Sequence, residues 1–360
     1  MMSLGYGLVG LGGIARTHLQ ALKSMAVLQT PVPEVELAAL LTRTEDKVEF
    51  GRKLGFARVE HTMDSFLSKD VDVVDICSPN SLHYEQILAA SQAGKHIYCE
   101  KPLGLNGDEA AELGQKLAGY DSHIQGAFVM RFLPAVARAR AIIDQGKLGQ
   151  IHSFRFRLYH SSYLNPDKPG TWRLQHKMSG GGAMMDLGCH LLDLVRFMLG
   201  EAEDVQAWTN TVVGQRKWPQ GTAAVDVDDH ALAVLGLANG ARGSVEVSRV
   251  AVGGDGLSLE VYGSQGAVHI SPESSHPRCF DALGQEFTPT IEADPFLELL
   301  ETLYPSPKLS MGWMVDSHTA SLAWFFRAVA TGIVLPGTPN LQEGIRTQLL
   351  VDAVYEAGKN

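Results

Sequence analysis

The chain has 360 residues, 45% of them hydrophobic and 19% charged, with a formal net charge of −10. That length supports two domains with real cores. The negative balance argues against nucleic acid or an anionic membrane as the main partner, because both need a net positive face.

No apolar run approaches the roughly 20 residues that a bilayer span requires. The N-terminus Met1-Met2-Ser3-Leu4-Gly5-Tyr6 lacks the basic region and cleavage site of a signal peptide. A cytoplasmic location is therefore expected by elimination. Cys77, Cys99, Cys189 and Cys279 form no CxxC pair and no metal-like cluster with histidine along the sequence. They are expected as reduced, buried thiols.

Residues 6–10 are a short apolar run ending in glycine, and 14–28 have helical spacing. Residues 35–41 read as a strand buried on both faces. A helix over 45–54 stops at Gly55, and a strand follows at 71–76. A helix over 82–93 stops at Gly94, with a strand at 96–99 and a helix at 107–117 beyond it. Repeated β-α-β order with short connections implies a parallel sheet covered by helices.

After residue 126 the pattern changes. A helix over 134–145 leads to alternating strands at 151–159, 205–213, 230–237, 241–249, 257–262 and 267–270. Such alternation predicts an antiparallel or mixed sheet with one wet face. Asn239-Gly240 is a hairpin turn signal between two of these strands. Helical stretches fall at 183–199, 317–330 and 341–357, and the stretches 167–170 and 273–294 read as loops.

Gly10-Leu11-Gly12-Gly13-Ile14-Ala15 fits G-x-G-x-x-A between a strand and a helix, the context in which this motif binds dinucleotides. Gly10 permits the tight turn, Gly12 lets the backbone approach a pyrophosphate, and Ala15 allows close helix–strand packing. The helix N-terminus, opening at Ile14, then presents free N–H groups to the phosphates. A methyltransferase of similar topology is the competing reading of the loop alone. The second strand ends Leu41-Thr42-Arg43-Thr44 with no carboxylate for the ribose hydroxyls of NAD. Arg43 stands where a 2′-phosphate would be paired, which favours NADP over NAD. Alternatively Arg43 stacks on adenine and serves either cofactor.

Three further stretches carry a family resemblance. They are Pro79-Asn80-Ser81-Leu82-His83, Glu100-Lys101-Pro102-Leu103, and the run from Gly180-Gly181-Gly182 through Asp186 and His190 to Asp193. Together they resemble the glucose-fructose oxidoreductase / inositol dehydrogenase / rhizopine catabolism (Gfo/Idh/MocA) family over essentially the whole chain. Asp316-Ser317-His318 and Glu343-Gly344, each expected just before a helix, also fit. The resemblance implies an α/β protein with an N-terminal Rossmann domain (1–125). It also implies a C-terminal substrate-binding α+β domain (126–360), whose last helix can pack back on the first domain, with a large open, mainly antiparallel sheet that serves as a homodimer or homotetramer interface. NAD(P)-dependent hydride exchange with a sugar, cyclitol or related polyol is the implied activity, and no metal is required.

Within that frame Lys101, Asp186 and His190 are the expected catalytic residues. Lys101 follows a strand at the ligand-binding edge of the sheet, and a cation there stabilises a developing alkoxide. Read alone, it is as well a solvated surface lysine. Asp186 and His190, four apart, share one helical face. Histidine suits proton exchange with a hydroxyl, while a satisfied core histidine is the bland alternative. Ser78, Pro79, Asn80, His83, Glu100 and Lys101 join Gly10, Gly12, Gly13, Ile14, Ala15, Thr42 and Arg43 as the expected cofactor contacts. Lys101, Arg131, Tyr159, Trp172, Arg173, Asp186 and His190 are the expected substrate contacts, with His160, Tyr163 and His318 as weaker candidates. The three glycines 180–182 imply a close approach to substrate, cofactor or another helix. Asp226, Asp228, Asp229 and His230 read as a solvated acidic loop rather than a metal site. A non-sugar substrate (a dihydrodiol, pigment or imine) and a dinucleotide sensor without turnover are the competing functions.

Overall fold

The computed structural model describes residues 3–359; residues 1, 2 and 360, which the expected domain spans include, lie outside it. The chain opens with β1 (Ser3–Val9), α1 (Gly13–Val27), β2 (Glu34–Leu41), α2 (Asp46–Leu54), β3 (Arg58–Glu60) and α3 (Met63–Phe66). It continues with β4 (Val73–Ile76), α4 (His83–Gln92), β5 (His96–Cys99), α5 (Gly107–Lys116) and β6 (Ile124–Gly126). The six strands form one all-parallel sheet in the order β3-β2-β1-β4-β5-β6. The winding direction reverses between β1 and β4, and at such a switch point the crevice beyond the strand ends takes ligands.

The core strands β4 and β5 are short and buried except at His96, and apolar except for His96 and the buried Asp75. Helix α1 buries Ala15, His18, Leu19 and Met25, a stripe with helical period. Strand β2 departs from the expected two-sided burial. Glu36 interrupts its apolar run, and only its second half, from Ala38 on, is buried. The sequence reading passed over β3, α3 and β6, which at three or four residues are too short to show a period.

The chain goes on through α6 (Pro134–Asp144), β7 (Ile151–Tyr159), α7 (His176–Ser179), a π-helical turn at Met184–Gly188, and α8 (Cys189–Leu199). Then come β8 (Ala202–Asn210), β9 (Gln215–Trp218), β10 (Gly221–Ala224), β11 (His230–Leu237), β12 (Arg242–Ser248), β13 (Gly256–Gly263), β14 (Gly266–Ile270), β15 (Arg278–Asp281) and β16 (Glu286–Phe287). Eight of them make one sheet in the order β16-β15-β14-β13-β7-β12-β11-β8. Its neighbours are antiparallel except β7 and β12. Phe154, Phe156, Val245, Val247, Leu259 and Val261 line its buried face. The stretch 273–294, expected as loop, contains β15 and β16, joined by a turn in which the Asp281 carboxylate accepts two backbone N–H groups.

The chain ends with α9 (Pro295–Leu303), α10 (Trp313–Thr331) and α11 (Leu341–Ala357). Asp316-Ser317-His318 and Glu343-Gly344 therefore lie inside the first two turns of α10 and the first turn of α11, not before them. Two compact units emerge. The first holds everything up to Gly104, plus Asp108–Phe132 and Leu299–Ile345; the second holds Leu105–Gly107, Leu133–Glu298 and the chain from Arg346 on. Residues 299–345, beyond the expected cut after residue 125, return to the first unit, where α10 rather than the last helix packs on α1. Among the described residues no helix is long and apolar enough to cross a membrane.

Candidate active site

In the first unit the glycine loop connects β1 to α1. Gly10 has φ +89°, donates to the Leu41 carbonyl at 2.9 Å, and would bring a Cβ to 3.0 Å from the Cys77 carbonyl oxygen. Only glycine suits that left-handed, crowded position. Gly12 and Gly13 are exposed, and a Cβ on either would meet nothing within 4 Å. Helix α1 opens here with no side-chain cap and no acid in its first turn. Its amides are therefore open to an anion, the geometry a dinucleotide pyrophosphate needs. Ile14 is half-buried and Ala15 fully buried.

Arg43 is exposed just beyond β2, while Thr42 is buried and its hydroxyl accepts from the Thr44 amide. Ser78 and Pro79 follow β4, and Asn80–Leu82 form a 3-10 turn leading into α4. The Ser78 hydroxyl donates to Gln86. His83 differs from expectation. It is fully buried, and its ring ties the carbonyl of Ser78 to that of Pro102, so it braces two loops rather than facing a ligand. Lys101 is half-buried directly after β5, and the Lys101–Pro102 peptide is cis.

Beside it, Glu100 is buried in a polar cluster with His18, Asp75, Cys77 and His318. Cys77 thus does join a histidine, through a fold contact that the linear spacing does not show. All four cysteines are buried and free. Arg131 is also corrected. It is 1% exposed and ion-paired with Glu343 at 2.9 Å, a buried brace and not a substrate contact. His318 is buried in the same cluster as Glu100.

In the second unit the glycine run has an unambiguous role. A Cβ would lie 2.3 Å from the Leu105 oxygen at Gly180, 2.3 Å from the Tyr355 hydroxyl at Gly181 and 1.9 Å from the Asp228 oxygen at Gly182. The glycines admit other parts of the protein. The Asp228 carboxylate accepts the amides of Gly182 and Met184 and the Tyr355 hydroxyl, and Tyr355 accepts the amides of Gly182 and Met185. Distant side chains thereby cap the turn that carries Asp186. That turn is π-helical and passes into α8 at Cys189, so the expected continuous α-helix over 183–199 is interrupted where Asp186 sits.

Asp186 is half-exposed, and its carboxylate pairs with Arg249 at 3.0 Å. Arg249 is 1% exposed and lies over the Tyr163 ring at 5.1 Å. Burial works against its charge, but Asp186 more than compensates and raises its pKa. His160 is held below its ordinary value by burial and the nearby Arg249. Lys168, over the Tyr163 ring at 4.0 Å, is lowered by burial and by Arg216, Arg249 and Arg173. His190 is buried in the first turn of α8. Trp172 and Arg173 are half-buried and stacked, the guanidinium 4.5 Å from the indole. Tyr159 lies elsewhere: it shares the open sheet face with Arg155 and Arg157 and bonds to Glu246. Asp226 and Asp229 hold backbone amides and His230 pairs with Glu246, so this run anchors loops. Arg249 and His18 went unnoticed in the sequence. An arginine closing a strand and a histidine inside a helix carry no spacing signal of their own.

Comparison with known proteins fits this geometry. Residues 4–125 match the model for the oxidoreductase family, NAD-binding Rossmann fold, and residues 136–269 match the GFO/IDH/MocA C-terminal domain. The chain belongs to the Gfo/Idh/MocA family and is an NAD-binding oxidoreductase. A levoglucosan dehydrogenase from Pseudarthrobacter phenanthrenivorans is 30% identical, with 99% of this chain and 96% of that one covered. A myo-inositol 2-dehydrogenase from Thermotoga maritima is 29% identical over 73% of each chain. A solved levoglucosan dehydrogenase in complex with NADH and levoglucosan superposes with a TM-score of 0.89 at 31% identity, covering 99% of this chain and 98% of that one.

Proposed function

We propose that this protein transfers hydride between a nicotinamide dinucleotide and a carbinol of a sugar, cyclitol or related polyol. The observation that carries the reading is the half-exposed Asp186 carboxylate, held by buried Arg249, which lies over the Tyr163 ring and close to His160. Such a fixed acceptor with aromatic and cationic neighbours suits vicinal hydroxyls. The relatives' substrates, an anhydrosugar and a cyclitol, are of that kind. When bound, the dinucleotide supplies the hydride acceptor. The glycine loop from Gly10 to Ala15 and the start of α1 hold its pyrophosphate, with Thr42, Ser78, Pro79 and Asn80 around them. Lys101 stabilises negative charge on the reacting oxygen, His190 takes the hydroxyl proton, and Asp186 binds a neighbouring hydroxyl. Arg43 pairs with a 2′-phosphate and favours NADP(H).

The test is fluorescence titration with NADH and NADPH, then absorbance at 340 nm against a polyol panel that includes levoglucosan and myo-inositol. Turnover of one polyol is expected, with a fall of about 10²–10³ in kcat for Lys101→Ala and of about 10²–10⁴ for His190→Ala. Binding without turnover on any polyol would overturn the reading. Arg43→Ala should weaken NADPH and spare NADH.

The eight-stranded sheet is our proposed dimer or tetramer interface. Trp208 and Val234 are exposed on β8 and β11 while their strand neighbours Ala207 and Ala233 are buried. Light scattering of Trp208→Glu should report a smaller assembly than wild type.

A further inference from the structure

Beneath the cofactor loop lies a chain of buried polar groups for which the proposed chemistry has no use. His18, on the inner face of α1, is completely buried, as is Asp75 on β4; Glu100, just beyond β5, is 8% exposed. His18 Nδ1 lies 2.7 Å from Asp75 Oδ2, and its Nε2 lies 3.0 Å from Glu100 Oε1. An ionised carboxylate only accepts hydrogen bonds. Asp75 acts as an acceptor toward its other neighbours too, taking bonds from the Tyr6 hydroxyl and the Cys77 thiol. Both nitrogens of His18 therefore donate, and a ring that donates twice is an imidazolium.

The remaining groups around it fit that state. Tyr98 of β5 meets the ring edge-on at 5.5 Å, with its hydroxyl held by Ser321. His318 of α10 lies 5.1 Å away, ring to ring; its Nδ1 bonds the Met314 carbonyl and its Nε2 is 3.7 Å from Glu100. Burial by itself would strip the proton from His18, but Asp75 outweighs it and the pKa is raised. The cluster has the composition of a metal site, yet its shortest distances are those of hydrogen bonds.

Glu100 is joined by one peptide to Lys101, and its own amide donates to the Ile76 carbonyl at 2.9 Å. We propose that His18 is a positioning residue: clamped between Asp75 and Glu100, it fixes the segment after β5 and so aims Lys101. This rests on the assignment of Lys101 as the group that stabilises the reacting oxygen. It adds a requirement that the ring be charged, which a packing histidine would not have.

The experiment uses the full chain with ¹⁵N-labelled histidine, comparing wild type, His18→Gln, Glu100→Gln and Lys101→Ala. The His18 resonances, identified by their loss in His18→Gln, should show protons on both ring nitrogens at pH 8. Kinetics use whichever polyol of the panel wild type turns over. His18→Gln should bind NADH within about threefold of wild type, lose at least tenfold in kcat with little change in KM, and gain an acid limb between pH 5 and 8. That limb arises because two neighbouring carboxylates without a cation cannot both stay ionised. Glu100→Gln should lose kcat similarly and decides the matter if His18→Gln fails to fold. An inactive Lys101→Ala beside a wild-type pH profile in the foldable variant overturns the role of His18 alone. Wild-type turnover in Lys101→Ala overturns the assignment beneath it. A His18 ring with one protonated nitrogen, or one bound to metal, overturns the clamp.

Discussion

At the level of single residues, the most consequential pairing is Asp186 with Arg249. Asp186 was legible because it sits in a motif, but what makes it useful is a partner sixty-three positions away. The guanidinium is buried while the carboxylate is half-exposed, so the arginine holds the acid from its buried side. Replacing Arg249 with leucine removes a charge-assisted bond of about 1.5–3 kcal/mol. KM for the polyol should then rise roughly tenfold or more, while NADH affinity stays at the wild-type value. Steady-state kinetics and NADH titration read the two effects separately; equal weakening of both ligands would argue against a substrate-side role. Arg131 gives the opposite lesson. From sequence it stands behind Arg173 as a sugar contact, and only burial against Glu343 removes it. A lone arginine carries no mark of whether its partner is a ligand or a carboxylate of the same chain.

Secondary-structure elements were legible in proportion to their length and regularity. The strand at 151–159 and the helix at 341–357 coincide with β7 and α11, because nine alternating residues or seventeen with helical period leave little freedom. The β9–β10 hairpin was missed, since Gln-Arg-Lys-Trp offers no apolar alternation. The π-turn at Met184–Gly188 was missed for a different reason. Its amides are capped by Asp228 and Tyr355, groups supplied by the tertiary fold. Tyr355→Phe removes the hydroxyl that accepts the Met185 amide and donates to Asp228, while the Gly182 amide keeps the Asp228 carboxylate, a loss of about 1–3 kcal/mol at the turn. We expect a lower melting temperature and reduced kcat with unchanged NADH binding, since the cofactor loop belongs to the other unit. An unaltered kcat would show that Asp186 and His190 keep their geometry without the cap.

On the scale of the whole chain, the order of strands and helices revealed a parallel sheet followed by a mixed one. The return of residues 299–345 to the first unit was not legible, because long-range packing such as α10 on α1 has no local sequence signature. That return delivers His318 to the buried cluster and ties the cluster to global stability, which makes its charge state measurable by pH.

The signs can be worked out group by group. Burial pushes the Glu100 carboxyl up, but hydrogen bonds from His18 and His318 prevail and hold it well below the ordinary carboxylate range. Its stabilising contribution is complete above the unfolded value of about 4.3 and is lost as pH falls toward the folded one. For His18 the folded value lies above the unfolded one of about 6.5, so its contribution is complete below that pH and shrinks as pH rises. The cluster is therefore most stabilising between about pH 4.5 and 6.5. Other carboxylates, such as Glu60, Asp70 and Glu246, are also held low and add to the acid limb. A single melting curve against pH would mix them all. The difference in stability between wild type and His18→Gln cancels those common terms. Above pH 8, beyond the acid limb of His18→Gln, it should narrow by up to about 1.4 kcal/mol per pH unit. Calorimetry of both proteins from pH 5 to 9 measures it, and a difference that stays constant across that range would mean that the buried ring carries no extra proton.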